Sequence, residues 1–274
     1  MPMLLLKRYF IMRFGRIQAL TLSGVASAFL AITPALADDV RPSGQDWQGF
    51  YVGAALGGAS SAAEPDIQAI HNGYFNTVGG VRDDEQLNPI LQKKIDGLDV
   101  TGSVLAGYDF QSGNITYGLE GDLTFMAFSQ TESFGPAVYL TAPPSAFTTQ
   151  TTVESDFQLS LRPTLGYVTG LFRFHVSAGP SISRFKTTHQ YSDNHAGGSS
   201  VTFSDTKTAL GVSSSVGVGY MMPEGWALRS DYVFSYYPSI ADGSSELNGD
   251  GRTDFTYDAD FRSHNLRLAL IKRF

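Results

Sequence analysis

Apolar and polar residues alternate one by one through most of the chain beyond residue 46. In the last stretch, His264, Leu266, Leu268, Leu270, Lys272 and Phe274 share one parity, and Ser263, Asn265, Arg267, Ala269, Ile271 and Arg273 share the other. A period of two sends successive side chains to opposite faces of a strand. The same alternation runs through Phe157–Tyr167, Phe172–Ser177, Leu210–Tyr220 and Trp226–Ser235. No run of about 18 apolar residues occurs beyond the N-terminus, which excludes membrane helices there. The pattern predicts eight strands, at 47–57, 98–110, 114–127, 154–168, 171–185, 206–221, 225–237 and 260–274.

The connections alternate in length. Gln111-Ser-Gly-Asn114, Thr169-Gly170 and Met222-Pro-Glu-Gly225 have the Gly, Asn and Pro chemistry of tight turns. The other four links, 58–97, 128–153, 186–205 and 238–259, are long. Four long loops at one end are foreign to a compact soluble domain. Even strand number, short turns at one end and long loops at the other are the signature of an outer-membrane barrel. The polar parity agrees, because it is mostly Gly, Ser and Thr rather than the Lys and Glu of a solvated surface. Such residues fit a narrow barrel interior. Tyr108, Phe110, Tyr117, Tyr167, Phe172, Tyr220 and Trp226 gather beside the short turns, as an interfacial aromatic girdle does. The expected fold class is all-β: an eight-stranded antiparallel up-and-down transmembrane β-barrel with short periplasmic turns and four long extracellular loops. A terminal apolar strand left unpaired invites aggregation, so the last strand is expected to close on the first, around Phe50, Val52, Ala54 and Leu56.

The N-terminus changes the picture next. Arg13 and Arg16 precede an apolar run from Ile17 to Ile32, followed by Thr33-Pro34-Ala35-Leu36-Ala37. This reads as a secretory signal peptide over residues 1–37, with Asp38 opening the mature chain and 38–46 a short segment before the barrel at 47–274. Met12 alone would begin a conventional signal, so residues 1–11 read as an upstream extension. There is no Cys, hence neither disulfide nor lipobox. Of 19 basic and 26 acidic residues, the signal takes four basic ones and no acid, which leaves a mature net charge of −11. That balance disfavours nucleic acid.

Charged residues on the inward parity form a balanced set. Asp109, Glu120, Asp122 and Asp231 stand against Arg162, Arg173, Arg229 and Arg267. Buried charges persist when paired and hydrogen-bonded. An eight-stranded barrel is just wide enough for side chains to fill. The set therefore reads as a cross-linked plug, with a narrow or gated pore as the alternative.

Three features lie in the loops. Glu246, Asn248, Asp250 and Asp254, with Gly251 between them, have the oxygen spacing of a calcium loop. Position 12 is Tyr257 instead of an acid, so an acidic turn-rich loop is the plainer reading. Asn88-Pro89 to Gly97 predicts a short helix with Ile90, Leu91 and Ile95 on one face. His189 and His195 share the third long loop with Ser192 and Asp193, at a spacing that fits no catalytic, metal or haem motif.

These residues resemble a family. Trp47, Gly49, Phe50, Tyr51, Val52 and Gly53 are similar to the first strand of the small alphaproteobacterial outer-membrane proteins of the RopB and Opa-like class, OmpA-like barrels often labelled porins. Gly107-Tyr108-Asp109-Phe110, Tyr117-Gly-Leu-Glu-Gly-Asp122 and the final Leu-Arg-Leu-Ala-Leu-Ile-Lys-Arg-Phe resemble its second, third and last strands, with Lys272 where an aromatic or apolar residue is usual. The resemblance implies recognition of Leu266, Leu268, Leu270 and Phe274 by the insertion machinery. The expected function is a structural, envelope-supporting and surface-display role without catalysis or cofactor. A narrow porin, or loop-mediated binding of host, haem or lipopolysaccharide, is the alternative. Expected partners are outer-membrane lipid, lipopolysaccharide, periplasmic chaperones and the insertion machinery.

Overall fold

The computed structural model describes residues 46–71 and 73–274. The signal peptide, Met12 and most of the segment 38–46 lie outside the described residues. Eight long strands follow in order: β1 (Gly49–Pro65), β2 (Ile95–Ser112), β3 (Ile115–Val138), β4 (Ala146–Thr169), β5 (Phe172–Asp193), β6 (Ser200–Met221), β7 (Trp226–Ser245) and β8 (Phe255–Arg273). Each pairs antiparallel with its sequence neighbour, and β8 returns to β1. The closing register runs from Tyr51 opposite Arg273, through Leu56 opposite Leu268, to Pro65 opposite Ala259. Closure leaves no sheet edge, the condition a strand structure must meet in lipid.

The two parities separate as the alternation requires. Leu266 and Leu268 are 63% and 61% exposed, whereas Arg267 between them is 2% exposed. The outward face is a belt of Leu, Val and Phe, bordered at the turn end by Phe50, Tyr108, Phe110, Tyr117, Phe172, Tyr220 and Trp226. These rings meet across strands: Phe110 stacks on Tyr117 at 5.4 Å and Phe172 meets Tyr220 at 5.2 Å. Lys272 fits the girdle by laying its ammonium 5.2 Å from the Trp226 ring centroid and donating to the Glu224 carbonyl.

The turn-end connections are as short as expected. Gly113 (φ 59°) and Gly170 (φ 56°) take the first position of two-residue hairpin loops, where positive φ matches the strand twist. The other end differs from expectation. The strands run on well past the apolar belt, so 128–153, 186–205 and 238–259 are mainly strand, and the connections shrink to 139–145, 194–199 and 246–254. There the outward face is Thr148, Thr152, Glu154, Lys186 and Gln190. Water replaces lipid outside, both parities become polar in places, and the alternation that marks a strand fades.

Only the connection 66–94 stays long. It carries the two-residue strand Gln68–Ala69, which pairs with β8, a small hairpin (Thr77–Val78 with Val81–Arg82) and helix α1 (Asp83–Leu91). The predicted helix from Asn88 to Gly97 is thus displaced toward the N-terminus, and Ile95 begins β2 instead. Asp83, Asp84 and Glu85 occupy the first turn, where the helix dipole favours carboxylates. Asn88 is no cap; its Oδ1 accepts the Ala69 N–H at 2.7 Å. Trp47 is also displaced. It precedes β1 and folds beneath the barrel, buried between Arg173 and Arg273.

The interior is filled in layers. At the turn end lie Trp47, Tyr51, Leu105, Val168, Met221 and Ile271. Above the charged residues come Met126, Phe128, Phe185, Tyr237, Ile240 and Phe261. At the loop end Ile67, Phe75, Leu87 and Leu91 of the long connection pack on Tyr139, Phe147, Tyr191 and Phe255.

Candidate functional site

The predicted lumen charges converge. Glu120 and Asp122 are two apart on β3, as are Arg229 and Asp231 on β7, so each pair points inward together. Arg162 comes from β4 and Arg267 from β8. Their ion pairs close a ring. Arg162 meets Glu120 at 2.9 Å, Glu120 meets Arg229 at 2.6 Å, and Arg229 meets Asp231 at 2.8 Å. Asp231 meets Arg267 at 3.5 Å, Arg267 meets Asp122 at 2.6 Å, and Asp122 returns to Arg162 at 3.6 Å. Three acids and three arginines alternate, so the ring is neutral and ties β3, β4, β7 and β8 across the lumen.

Asp109 and Arg173, the remaining predicted pair, sit toward the turn end at 2.9 Å. Arg173 also donates to Thr116 at 2.8 Å, and Thr164 donates to Asp109 at 3.2 Å. The prediction omitted three participants. Arg273 meets Asp109 at 3.0 Å, donates to the Trp47 carbonyl and lies over the Trp47 and Tyr51 rings. Tyr51 donates to Glu120 at 2.9 Å. His175 places Nε2 3.2 Å from Asp231. All three share the inward parity of their strands, which was the signal available. Four acids therefore face five arginines rather than four.

Glycines make the space these long side chains need. A Cβ on Gly217 would collide with the Asp231 carboxylate and lie 2.6 Å from the His175 ring. One on Gly166 would lie 2.9 Å from Arg173 Nε, and one on Gly107 would lie 2.5 Å from the Tyr51 hydroxyl. The small residues on the inward parity thus carve room for the charged layer.

The loop candidates resolve differently. Around 246–254 the carboxylates serve the backbone: Glu246 accepts Gly251 N–H at 2.9 Å, Asp250 accepts Arg252 N–H at 2.9 Å, and the buried Asp254 accepts Leu247 N–H at 2.7 Å. Among the described residues no three His, Cys, Asp or Glu side chains converge on a common point as a metal ion needs. Glu246, Asn248, Asp250 and Asp254 thus share the turn 246–254, whose backbone three of their carboxylates hold. His189 is not in a loop. It sits on β5 beyond the apolar belt, turned into the lumen, with Nδ1 2.9 Å from Thr151 Oγ1 and its ring beside Phe255 and Tyr257. Burial there lowers its pKa to about 4. His195 is separate, in the short turn after β5, with Nδ1 3.4 Å from Ser145 Oγ.

With this geometry in place, residues 23–269 match the family described as outer membrane protein beta-barrel domain. Comparison with curated proteins gives no match. Among solved structures, the chain is similar to Neisserial surface protein A, at 14% identity over 82% of this chain and 97% of that one, with a TM-score of 0.33. It is similar to the outer membrane protease OmpT of Escherichia coli at 9% identity, over 82% of this chain and 97% of that one, with a TM-score of 0.46. The outer membrane protein OprG of Pseudomonas aeruginosa follows at 10% identity, over 83% and 97%, with a TM-score of 0.36.

Proposed function

We propose, for a chain that belongs to the outer membrane protein beta-barrel domain family and so resides in the outer membrane of a Gram-negative bacterium, a structural role: a closed, self-plugged barrel that supports the envelope and displays its loop end. The observation that carries this reading is the filled lumen. Arg162, Arg173, Arg229 and Arg267 are each at most 2% exposed, and apolar layers lie on both sides of them. A conducting pathway would have to open both of these hydrophobic layers and break the ring of ion pairs between them. Its partners in this reading are lipid and lipopolysaccharide around the belt. Periplasmic chaperones and the insertion machinery come earlier, the latter reading Leu266, Leu268, Leu270 and Phe274 on the last strand. No catalytic role is assigned to the charged layer, because a buried neutral ring offers a substrate no access.

The narrow-pore alternative has one observation in its favour. Several buried lumen atoms, among them Arg162 Nε, Arg229 Nη2 and Arg267 Nη2, have no protein hydrogen-bond partner. Buried donors of this kind recruit water, and a hydrated layer is the first requirement of a pore. Single-channel recording of refolded protein in planar bilayers separates the two. The plug predicts a silent membrane; steady unitary conductance that survives stringent purification would overturn it in favour of the pore.

A further inference from the structure

The outward belt carries a trough. In the ladder row Leu268–Leu56–Gly102–Phe125, and in the next row Leu270–Ala54–Val104, the bulky side chains are interrupted by Gly102 and Ala54. Between Leu56, Val104, Phe125 and Leu268 this leaves a groove of about 660 Å³ on the lipid side of the wall. Two rows nearer the loop end, Ser60 on β1 stands opposite His264 on β8, both exposed on the outward face. His264 Nδ1 lies 2.6 Å from the Tyr232 hydroxyl, and the imidazole rests 5.0 Å from the Phe234 ring. With Tyr232 donating to Nδ1, the ring proton sits on Nε2, so His264 keeps one N–H donor outside that bond. One row higher, Arg262 pairs with Glu64. The depth of these groups follows from strand geometry. His264 is six residues above Leu270 and ten above Phe274. At about 3.3 Å per residue and a tilt of about 40°, these separations are roughly 15 Å and 25 Å of depth. The apolar band of such a barrel is about 25 Å tall. With Phe274 at the turn-end girdle, His264 and Ser60 therefore stand at the outer edge of the hydrocarbon, and the groove lies in the outer leaflet beneath them.

We propose that this groove holds an amide-linked acyl chain of lipid A, the membrane anchor of lipopolysaccharide, with the amide at His264 and Ser60. A chain that fills one leaflet places its linkage at the hydrocarbon edge. The roughly 15 Å of depth from His264 to Leu270 is half of a hydrocarbon core of about 30 Å, the depth of one leaflet. A polar group that faces lipid is costly unless it is hydrogen-bonded. An amide answers both side chains, because its carbonyl accepts the His264 Nε2–H and its N–H donates to Ser60 Oγ. A phospholipid ester has the carbonyl but no N–H, so it leaves the second bond unmade. The inference rests on the lipopolysaccharide partnership proposed above. Because the groove faces outward, its failure leaves the plugged lumen standing, and a conducting lumen leaves the groove standing.

The test is native mass spectrometry of the refolded full barrel after incubation in detergent with lipid A or with phosphatidylethanolamine. The expected result is one retained lipid A, with retention of phosphatidylethanolamine at least tenfold weaker. A Cβ on Gly102 meets no atom within 4 Å. Gly102→Leu therefore fills the groove without straining the wall, and it is expected to weaken lipid A retention at least tenfold while the barrel keeps its heat-modifiable mobility. His264→Leu is expected to remove most of the preference for lipid A over phosphatidylethanolamine. No lipid A retained by the folded wild type, equal retention of both lipids, or wild-type retention in Gly102→Leu would overturn the site, and an unchanged preference in His264→Leu would overturn the amide contact.

Discussion

At the scale of single residues, the charged ring is the most consequential feature, because each acid in it serves more than one cation. Glu120 accepts from Arg162, Arg229 and Tyr51. Glu120→Ala would leave Arg229 only Asp231 and Arg162 only its longer contact to Asp122, and removing one partner of a buried pair costs about 3–5 kcal/mol. Urea unfolding of the barrel in lipid vesicles, followed by tryptophan fluorescence, should register a loss of that order. Gly217→Val should be as damaging by a steric route, read as loss of the heat-modifiable folded band. His189 supplies a pH dependence. Its folded pKa of about 4 lies below the ordinary 6.5, so between those values the unfolded chain binds a proton that the folded chain refuses. Its contribution is therefore fully present above pH 6.5 and is lost as pH falls toward 4, by about 3 kcal/mol in all. His189→Gln should flatten that segment of the stability–pH curve; an unchanged slope would show that other groups govern it.

Among the elements, β8 is decided on two faces at once. Its outward Leu268 lies in the lipid belt, where an Arg near the midplane costs about 2–4 kcal/mol. Leu268→Arg should lower equilibrium stability by that amount while leaving the inward Arg267 pairs in place. Phe274 adds one seam hydrogen bond, its N–H to the Phe50 carbonyl at 2.9 Å, and packs on the Phe50 ring at 6.2 Å. Deleting it should reduce outer-membrane yield in cells more than it reduces the stability of refolded protein; normal yield would remove the assembly role. The strands were legible in the sequence where lipid lies outside and small polar groups lie inside, since that contrast survives for ten residues or so. They were illegible beyond the belt. In β4, Thr148, Thr149, Thr151 and Thr152 stand on both faces, so no period marks the strand even though pairing continues from Phe147 opposite Asp193.

For the whole molecule, the filling of the lumen matters more than any one loop. The connection 66–94 covers the loop end, yet the apolar layer of Phe128, Phe185, Tyr237 and Phe261 and the charged ring lie beneath it. Replacing residues 66–94 with a short turn should therefore leave the barrel folded and electrically silent. Planar-bilayer recording of that variant checks this, and an open channel would assign the seal to the loop instead of the core.

The sequence by itself determined the closed eight-stranded barrel, the parity of the strands in the belt, and which eight charges face inward, because the membrane imposes a period of two that sends each side chain to one face. Only the tertiary structure decided how those charges connect. Whether Asp231 meets Arg267, or Asp109 meets Arg273, depends on strand stagger and on the room that Gly217 and Gly166 leave. The helix at 83–91, the lumenal place of His189 and the meeting of Tyr74, Tyr139 and Tyr191 on Asp193 were likewise settled by long-range packing. The physical reason is common to all of them: local alternation fixes a side chain's face, whereas its partner comes from another strand or loop whose position no local pattern encodes.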